Sequence, residues 1–404
     1  MTYVNAVKYL SSLKRGNANI ERAHRILEAL GSPEHQLRTI HISGKYGKSS
    51  LRRMLSSILT RAKLSVGEFS PFKLLDMREA ILVDGKPISH DRFADLIKRV
   101  SDEYGCLFQD EQPTFEEMLC AVAILHFCEV GCDIAIFEKG PSKNDAANIT
   151  ESPLVSVIAY MGSEADDQII FSDLLRRGTQ EAVTCPQHKS VYSRIYESCV
   201  EISARLTLPI YSELEINKIN LYKTEFSYRG CDYSVRSFSP WQVVNAITAI
   251  EAASALNRVG LHIEDSQIKD GLERTVLPYK CEPISFEPTV IVCSIENDES
   301  FDSFVASVAQ IKELILGETT LVIDKNSGIS EEKLGNSLCS IGLSPISTCL
   351  VDDMVTPAAL SKQVSGFIKP ILSDESSTAS VLIVGRESFI RAVSLEIKKR
   401  ISQI

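Results

Sequence analysis

Residues 41–50, HISGKYGKSS, connect a predicted strand to a predicted helix. The strand is the β-branched run RTIHIS at 38–43. The helix covers 49–63, where apolar residues recur on one face at Leu51, Met54, Leu55, Ile58 and Leu59. This order of strand, glycine loop and helix is typical of a loop that binds phosphate groups.

The loop itself has the chemistry of a phosphate site. Gly44 and Gly47 let the backbone turn its N–H groups toward an anion, and the helix start at Ser49 and Ser50 adds a partial positive charge. Lys48 would then reach the outer phosphates of a nucleotide. The spacing GxxGKSS is shorter than the GxxxxGK[ST] pattern of the standard P-loop. The alternative is a polar strand-to-helix turn in which the lysine has no ligand.

Strand-like and helix-like segments alternate along most of the chain. A second helix is predicted at 114–130, where the sequence TFEE has the pattern of a capping box. Buried strands are predicted at 132–138 and 156–161, and an alanine-rich helix at 240–258. Such alternation predicts an α/β fold with a mostly parallel sheet that helices cover on both faces.

A proline-rich segment divides the chain into two predicted domains. The segment VLPYKCEPISFEP, at 276–288, is predicted to be a linker. It would join a P-loop-containing, ATPase-like domain at 1–285 to a smaller Rossmann-like α/β domain at 286–404. The second domain is predicted to contain four strands, each followed by a helix, at 289–294 and 299–315, 319–325 and 330–341, 347–351 and 357–370, and 380–385 and 387–400.

Composition excludes several classes of protein. The 404 residues carry a formal net charge of −10, which argues against a nucleic-acid binder, and 44% are hydrophobic, which argues against global disorder. The longest apolar stretch, 118–128, falls short of the ~20 residues that span a membrane. The eleven cysteines include no CxxC pair and are predicted to be reduced thiols of a cytoplasmic protein. A metal site at His126, Cys128 and Cys132 is the alternative.

Several segments, taken in order, resemble the folylpolyglutamate and dihydrofolate synthases of the Mur ligase superfamily. The loop at 44–50 is similar to their GTNGKGS nucleotide loop. Similar segments follow in the same order as SPFKLLDMREAILVDGKPIS at 70–89, PTFEEMLCAVAILHFCEVGCDIAIFEKG at 113–140, DAAN at 145–148, SPWQVVNA at 239–246, IKDGLERTVLPYKCE at 268–282 and DK at 324–325. The resemblance therefore covers nearly the whole chain.

The resemblance implies a ligase that joins a carboxylate to an amine through an acyl phosphate. It implies ATP and Mg²⁺ as cofactors, and a folate-type acid and glutamate as small-molecule partners of a monomer. The residues that match the family's motifs are Lys48 and Glu138 as catalytic residues; Gly44, Gly47, Lys48, Ser49, Ser50, Gln242, Asn245 and Lys280 for ATP; Ser70 and Glu138 for magnesium; and Pro71, Phe72, Arg78 and Glu79 for the acid.

Glu138 also has an interpretation that does not depend on the family. It ends a predicted buried strand, and open α/β sheets bind ligands at the carboxyl ends of their strands. A solvated strand end is the alternative. Oxygen ligands such as a carboxylate and a hydroxyl suit magnesium.

Other positions depart from the family pattern. Ala165 stands where the family has a third magnesium ligand, a histidine, and no histidine lies between 127 and 187. Glu164, Asp166 and Asp167 are the alternative oxygen ligands. The segment FSDLLRRG at 171–178 has no lysine in the place of the family's carbamylated lysine. Of the DGAHN motif only the asparagine remains, in CSIEN at 293–297, and Lys280 replaces an arginine.

These departures leave three hypotheses open. The first is a ligase of the folylpolyglutamate synthase type. The second is a ligase of the same superfamily with another acid or amine. The third is a pseudoenzyme that binds nucleotide or a partner protein.

Overall fold

The structure is a computed structural model. It describes residues 1–16, 18–72, 74, 76–108, 111–140, 144–162, 174–176, 178–286, 289–295, 297–315, 318–345, 347–351 and 380–401. The chain forms two compact units, which we describe separately: unit 1 is Met1–Ser212 with Asn245–Arg274, and unit 2 is Glu213–Val244 with Thr275–Ile404.

Unit 1 is built around an eight-stranded sheet. Its strands are β1 (Thr39–Ser43), β2 (Val66–Phe69), β3 (Ile81–Val83), β4 (Lys86–Pro87), β5 (Ile134–Glu138), β6 (Val155–Ile158), β7 (Glu181–Thr184) and β8 (Arg205–Thr207). They lie in the order β4-β3-β2-β5-β1-β6-β7-β8. The pairs from β2 to β8 are parallel, whereas β3 and β4 add an antiparallel edge. The predicted mostly parallel sheet is confirmed.

The helices of unit 1 follow the predicted alternation. They are α1 (Tyr3–Ser12), α2 (Ile20–Ala29), α3 (Lys48–Arg61), α4 (His90–Leu107), α5 (Phe115–Glu129), α6 (Lys189–Glu201), α7 (Pro240–Arg258) and α8 (Asp265–Arg274); α7 begins in unit 2. The five apolar residues predicted on one face of α3 are all fully buried. None of the helices in the described ranges is long and apolar enough to cross a membrane.

The predicted capping box at the start of α5 is confirmed. The Glu117 N–H donates to Thr114 Oγ1 at 3.2 Å, and the Thr114 N–H donates to Glu117 Oε2 at 3.3 Å. The same carboxylate is fully buried and accepts two hydrogen bonds of 2.9 Å from one Arg22 nitrogen. One acidic side chain therefore fixes the helix start and ties α5 to α2.

Unit 2 contains two sheets. A three-stranded antiparallel sheet consists of β9 (Leu214–Ile219), β10 (Thr224–Tyr228) and β11 (Cys231–Val235). A five-stranded sheet has the order β12-β13-β16-β14-β15, with β12 (Glu282–Phe286), β13 (Thr289–Ser294), β14 (Thr319–Asp324), β15 (Ser347–Val351) and β16 (Ser380–Gly385). Its described helices are α9 (Asp298–Ile311), α10 (Glu331–Ser340) and α11 (Glu387–Ile401). The predicted helix at 357–370 lies outside the described residues.

The segment predicted to be a linker is partly a strand. Strand β12 pairs antiparallel with β13, and Phe286 lies opposite Thr289. The linker prediction is therefore wrong for 282–286. Pro283 is tolerated there because β12 is an edge strand, where a missing N–H costs little. The domain division at residue 285 stays a prediction, and the compact units differ from it by placing 213–244 and 275–285 in unit 2.

Candidate functional site

The loop between β1 and α3 requires glycine at two positions. Gly44 has φ +118°, and a Cβ there would lie 2.8 Å from the Ala159 carbonyl oxygen. Gly47 has φ +88°, and a Cβ there would lie 2.8 Å from Asn245 Oδ1. Side chains disfavour both the left-handed backbone and the close approach. The predicted loop and the predicted Asn245 are thus in contact.

The loop's N–H groups are divided between two uses. Those of Lys45 and Tyr46 donate to the Tyr160 carbonyl at 3.1 and 2.9 Å, so they hold the loop against the segment after β6. The prediction that the loop amides turn toward an anion is wrong for these two. The first hydrogen bond within α3 runs from the Leu51 N–H to the Gly47 carbonyl, and Gly47, which precedes the helix, has no side chain to cap it. The helix start is therefore the part of the loop that is suited to an anion.

Lys48 is the first residue of α3. Its Nζ donates to the Gly44 carbonyl at 2.8 Å and lies 5.5 Å from the centroid of the Phe72 ring. That distance is within the range of a cation–π interaction. The structure therefore brings together Lys48 and Phe72, which the resemblance had assigned to ATP and to the acid.

Ser70 and Glu138 meet at the ends of neighbouring strands. Phe69 and Phe137 are paired in the parallel register of β2 and β5, so the next residue of each strand emerges at the same edge. The Ser70 hydroxyl donates to Glu138 Oε2 at 3.0 Å, and both side chains are buried. The two predicted magnesium ligands are adjacent.

Arg52 shares the same carboxylate, a contact that sequence reasoning missed. Its Nε lies 3.3 Å from Glu138 Oε2, and its Nη1 is bound to the Glu68 carboxylate. The Ser56 hydroxyl donates to Glu68 Oε1 at 2.7 Å. Burial lowers the pKa of the Arg52 guanidinium, but the two carboxylates outweigh this and raise it. Arg52 is therefore a permanent cation inside the site.

The sequence contained one signal for this buried pair. Arg52 falls on α3 beside the apolar residues Leu51 and Met54, and Glu68 falls in the middle of the strand VGEF. A charged residue at a position that the periodicity makes buried needs a partner of opposite charge. Nothing in the sequence identifies which partner it has.

As arranged here, the side chains predicted to hold Mg²⁺ do not fit a metal ion. Magnesium needs oxygen ligands with lone pairs directed at the ion in a near-octahedral arrangement. Glu138 Oε2 instead accepts hydrogen bonds from Ser70 and Arg52. In the part of the chain that the structure describes, no group of three or more His, Cys, Asp or Glu side chains could hold a metal, so the alternative at His126, Cys128 and Cys132 is wrong. Residues 164–167 lie outside the described residues.

The DAAN segment closes the same end of the sheet. Asp145 accepts hydrogen bonds from the N–H groups of Gly140 at 2.7 Å and Ala147 at 2.9 Å. Lys139, which follows the catalytic candidate Glu138, is fully buried, and its Nζ donates to Asn148 Oδ1 at 2.7 Å. Burial raises the pKa of Asp145, which these hydrogen bonds and the charges of Lys139 and Lys48 lower only in part.

Of the residues predicted to bind the acid, Arg78 already has an internal partner. Its Nη2 lies 2.6 Å from Asp76 Oδ2, and the Tyr3 hydroxyl donates to the other Asp76 oxygen at 2.6 Å. Burial raises the pKa of Asp76, but the bonds from Arg78 and Tyr3 outweigh it and lower that pKa to about 2. Pro71 is buried and Glu79 is half-buried in the short turn Met77–Ala80.

Two of the predicted ATP ligands belong to unit 2. Gln242 is buried near the start of α7. The Lys280 Nζ donates to Ser294 Oγ at 2.9 Å and lies 3.8 Å from Glu387 Oε2. Asn297, the remnant of the family motif, caps α9 by accepting from the Ser300 N–H at 2.9 Å. None of the eleven cysteines is in a disulfide in the described structure, and Cys106 and Cys339 are exposed.

Comparison with known proteins gives consistent similarities. The chain is 27% identical over 320 residues to the dihydrofolate synthase/folylpolyglutamate synthase of Bacillus subtilis, covering 72% of this chain and 71% of that protein. It is 23% identical over 376 residues to the folylpolyglutamate synthase of Lacticaseibacillus casei, covering 86% of each. No protein-family model matches the chain.

Solved structures show the same fold. A mutant of the L. casei folylpolyglutamate synthase matches with a TM-score of 0.81 at 20% identity, covering 99% of both chains. The Mycobacterium tuberculosis folylpolyglutamate synthase, complexed with ADP and AMPPCP, matches with a TM-score of 0.74 at 18% identity, covering 98% of both. The predicted α/β fold with a large mostly parallel sheet and a second, smaller sheet domain is confirmed.

Proposed function

We propose that this chain, a homologue of the folylpolyglutamate and dihydrofolate synthases, is an ATP-dependent ligase that adds glutamate to a folate-type carboxylate. The observation that carries the proposal is the loop from Gly44 to Ser50. It joins a central parallel strand to a helix start that Gly47 cannot cap with a side chain, and it holds a lysine beside that start. We include in the proposal a cytoplasmic location and a monomeric state.

ATP would bind by its phosphates at the start of α3. Gly44, Gly47, Ser49 and Ser50 are proposed to line the phosphate site, and Lys48 is proposed to leave the Gly44 carbonyl for a phosphate oxygen. Asn245, which lies against Gly47, completes the proposed nucleotide contacts in unit 1. Gln242 and Lys280 stay predicted ATP ligands. ATP enters as its magnesium complex, in which the metal neutralises phosphate charge.

The reaction has two transfers. The acid's carboxylate attacks the γ-phosphorus and ADP leaves; the amine of glutamate then attacks the acyl carbon, loses a proton, and phosphate leaves. Lys48 would neutralise charge on the transferred phosphoryl group, and positioning would supply much of the remaining rate increase. Glu138 is proposed as the second catalytic residue. Pro71, Phe72, Arg78 and Glu79 are proposed to line the site of the acid.

A phosphate-release assay tests the proposal. We expect release by purified protein with ATP and Mg²⁺ to require both glutamate and a reduced folate. Lys48→Ala should lower kcat/KM by roughly a hundredfold or more, because it removes a cation from the phosphoryl group. Lys269→Ala removes an exposed lysine from α8 and should leave the rate unchanged.

Two other outcomes would overturn the proposed substrate or the proposed activity. Release with a different acid or amine indicates a ligase of another specificity. No release, with ATP still raising the melting temperature, indicates the pseudoenzyme, since a ligand that binds only the folded state stabilises it. The contact between Arg52 and Glu138 favours the pseudoenzyme as the second candidate function, because the carboxylate proposed to be catalytic is already paired with a cation.

A further inference from the structure

A buried group of five side chains lies behind the phosphate loop, and its charges do not sum to zero. Arg52 is 6% exposed, Glu68 3% and Glu138 5%. Each carboxylate also accepts a hydrogen bond from a serine hydroxyl, Ser56 in one case and Ser70 in the other. One cation therefore faces two carboxylates in a region with little water. Burying charges in this way is tolerated only when they are paired and hydrogen-bonded.

The position of the guanidinium explains why the predicted ligands do not fit a metal. Arg52 lies one helical turn after Lys48, so both side chains emerge from the same side of α3. Its Nε reaches Glu138 Oε2, the oxygen that also accepts from Ser70. A divalent cation bound by Ser70 and Glu138 would have to displace the guanidinium or lie against it. Two positive groups sharing one carboxylate repel each other strongly in a buried site.

We propose that the Arg52 guanidinium takes the place of a protein-bound divalent cation at Glu138. Ser70 and Glu138 then hold no metal in the nucleotide-free protein, and the positive charge behind the phosphate loop is fixed instead of exchangeable. Arg52 acts here as a positioning residue that orients Glu138. The inference rests on the proposed function in one respect, which is that ATP is the ligand near which the positive charge of Arg52 would act.

Manganese binding to the nucleotide-free protein tests the metal site directly. Mn²⁺ is titrated into the protein and free Mn²⁺ is measured by electron paramagnetic resonance. We expect the wild-type chain to show no site that Ser70→Ala or Glu138→Gln weakens. The double variant Arg52→Met/Glu68→Gln removes one charge of each sign, and its Mn²⁺ affinity should rise by about tenfold or more because Glu138 loses its cation. Adding Glu138→Gln should abolish the gain.

Two results would overturn the proposal. One is a wild-type Mn²⁺ site that Ser70→Ala weakens, because Arg52 would then coexist with the metal. The other is a folded double variant that gains no Mn²⁺ affinity. Circular dichroism establishes folding, and Arg53→Met, which removes an exposed arginine from the same helix, is the matched control. If the double variant does not fold, the wild-type and Ser70→Ala titrations still decide.

ATP affinity supplies a second readout. The Kd of the magnesium–ATP complex, measured by calorimetry, should differ by less than about threefold between the wild-type chain and Ser70→Ala, since no protein-bound ion at Ser70 and Glu138 is lost. A Kd that Ser70→Ala raises by about threefold or more would contradict the inference. If the wild-type chain binds no magnesium–ATP, the proposed function fails, whereas the Mn²⁺ result still decides the role of Arg52.

Discussion

Single side chains in unit 1 are held by specific charge pairs. Arg52 binds two carboxylates, Arg22 binds the buried Glu117, and Arg78 binds Asp76. The pairs differ in their exposure to water, and this difference determines how much each pair contributes to the free energy of unfolding. Glu117 is fully buried, whereas the Asp76 side chain is 33% exposed. A surface pair contributes little to stability, and a buried pair is costly to break.

Asp76 predicts a pH-dependent contribution to stability. Its pKa is lowered from 3.8 to about 2, so the folded protein favours the charged form. The contribution is present above pH 3.8 and is lost as the pH falls toward 2. Because the carboxylate is a third exposed, we expect Asp76→Asn to reduce the free energy of unfolding by only about 1 kcal/mol at pH 7.

Urea unfolding of Asp76→Asn and wild type between pH 7 and pH 3 measures this contribution. The difference between the two proteins should stay constant from pH 7 until the pH approaches 3.8, and it should shrink below that. Asp95→Asn, at an exposed position of α4, is the control and should show no such trend. A difference that stays constant with pH would show that Asp76 acts through shape and not through charge.

Among the elements of unit 1, α3 packs against strands β1, β2 and β5. It carries the phosphate loop at its start, and α8 packs closely along it. A Cβ at Gly271 of α8 would lie 2.5 Å from the Cα of Ile58, and the Ser57 hydroxyl donates to the Gly271 carbonyl at 2.7 Å. The two helix backbones approach so closely because one has no side chain at the contact. Gly271 also belongs to a segment that resembles the synthase family.

Gly271→Ala should therefore destabilise the protein. The added methyl group meets the backbone of α3, which cannot move as a flexible side chain can, so we expect a loss of about 1–3 kcal/mol. Gly105→Ala adds the same methyl group to α4, where nothing lies within 4 Å of the new atom. That control should be stabilised by about 0.5–1 kcal/mol through its helix propensity. Urea unfolding compares the two, and equal effects would contradict the close packing.

At the scale of the whole molecule, the phosphate loop belongs to unit 1 and the five-stranded sheet to unit 2. Ligand binding at the loop stabilises the conformation that binds. At a concentration of ATP 100 times its Kd, the stabilisation is about 2.7 kcal/mol.

Hydrogen exchange should locate this stabilisation. We expect ATP to slow the exchange of amides in β1 and α3 by up to about a hundredfold when they exchange through unfolding of unit 1. The same experiment with Lys48→Ala should show no protection, and Lys269→Ala should behave as wild type. Protection by ATP of β13 and β16 with none in β1 would place the nucleotide elsewhere.

Much of the fold follows from periodicity. Parallel strands and covering helices are predicted where apolar runs of four to six residues alternate with amphipathic segments. The bounds of strands β13 to β16 lie within one residue of those predicted. Strands β9 to β11 were not predicted because they lack a continuous apolar run: β9 is mostly exposed, and β10 alternates between buried and half-buried residues. The sequence around Pro283 resembles a linker because it contains proline. Proline is also tolerated in an edge strand, so the sequence does not distinguish the two.

The sequence by itself determined the position and the residue types of the loop at 44–50 between a strand and a helix, because a strand, two glycines, a lysine and a helix start are all local features. The family resemblance assigned Ser70 and Glu138 to the same magnesium site although they are far apart in sequence, and the structure places them in contact. Only the tertiary structure decided that Arg52 binds that carboxylate and that Tyr160 takes two of the loop's N–H groups. Periodicity indicates which face of an element is buried, whereas the partner of a buried charge depends on which elements become neighbours in space.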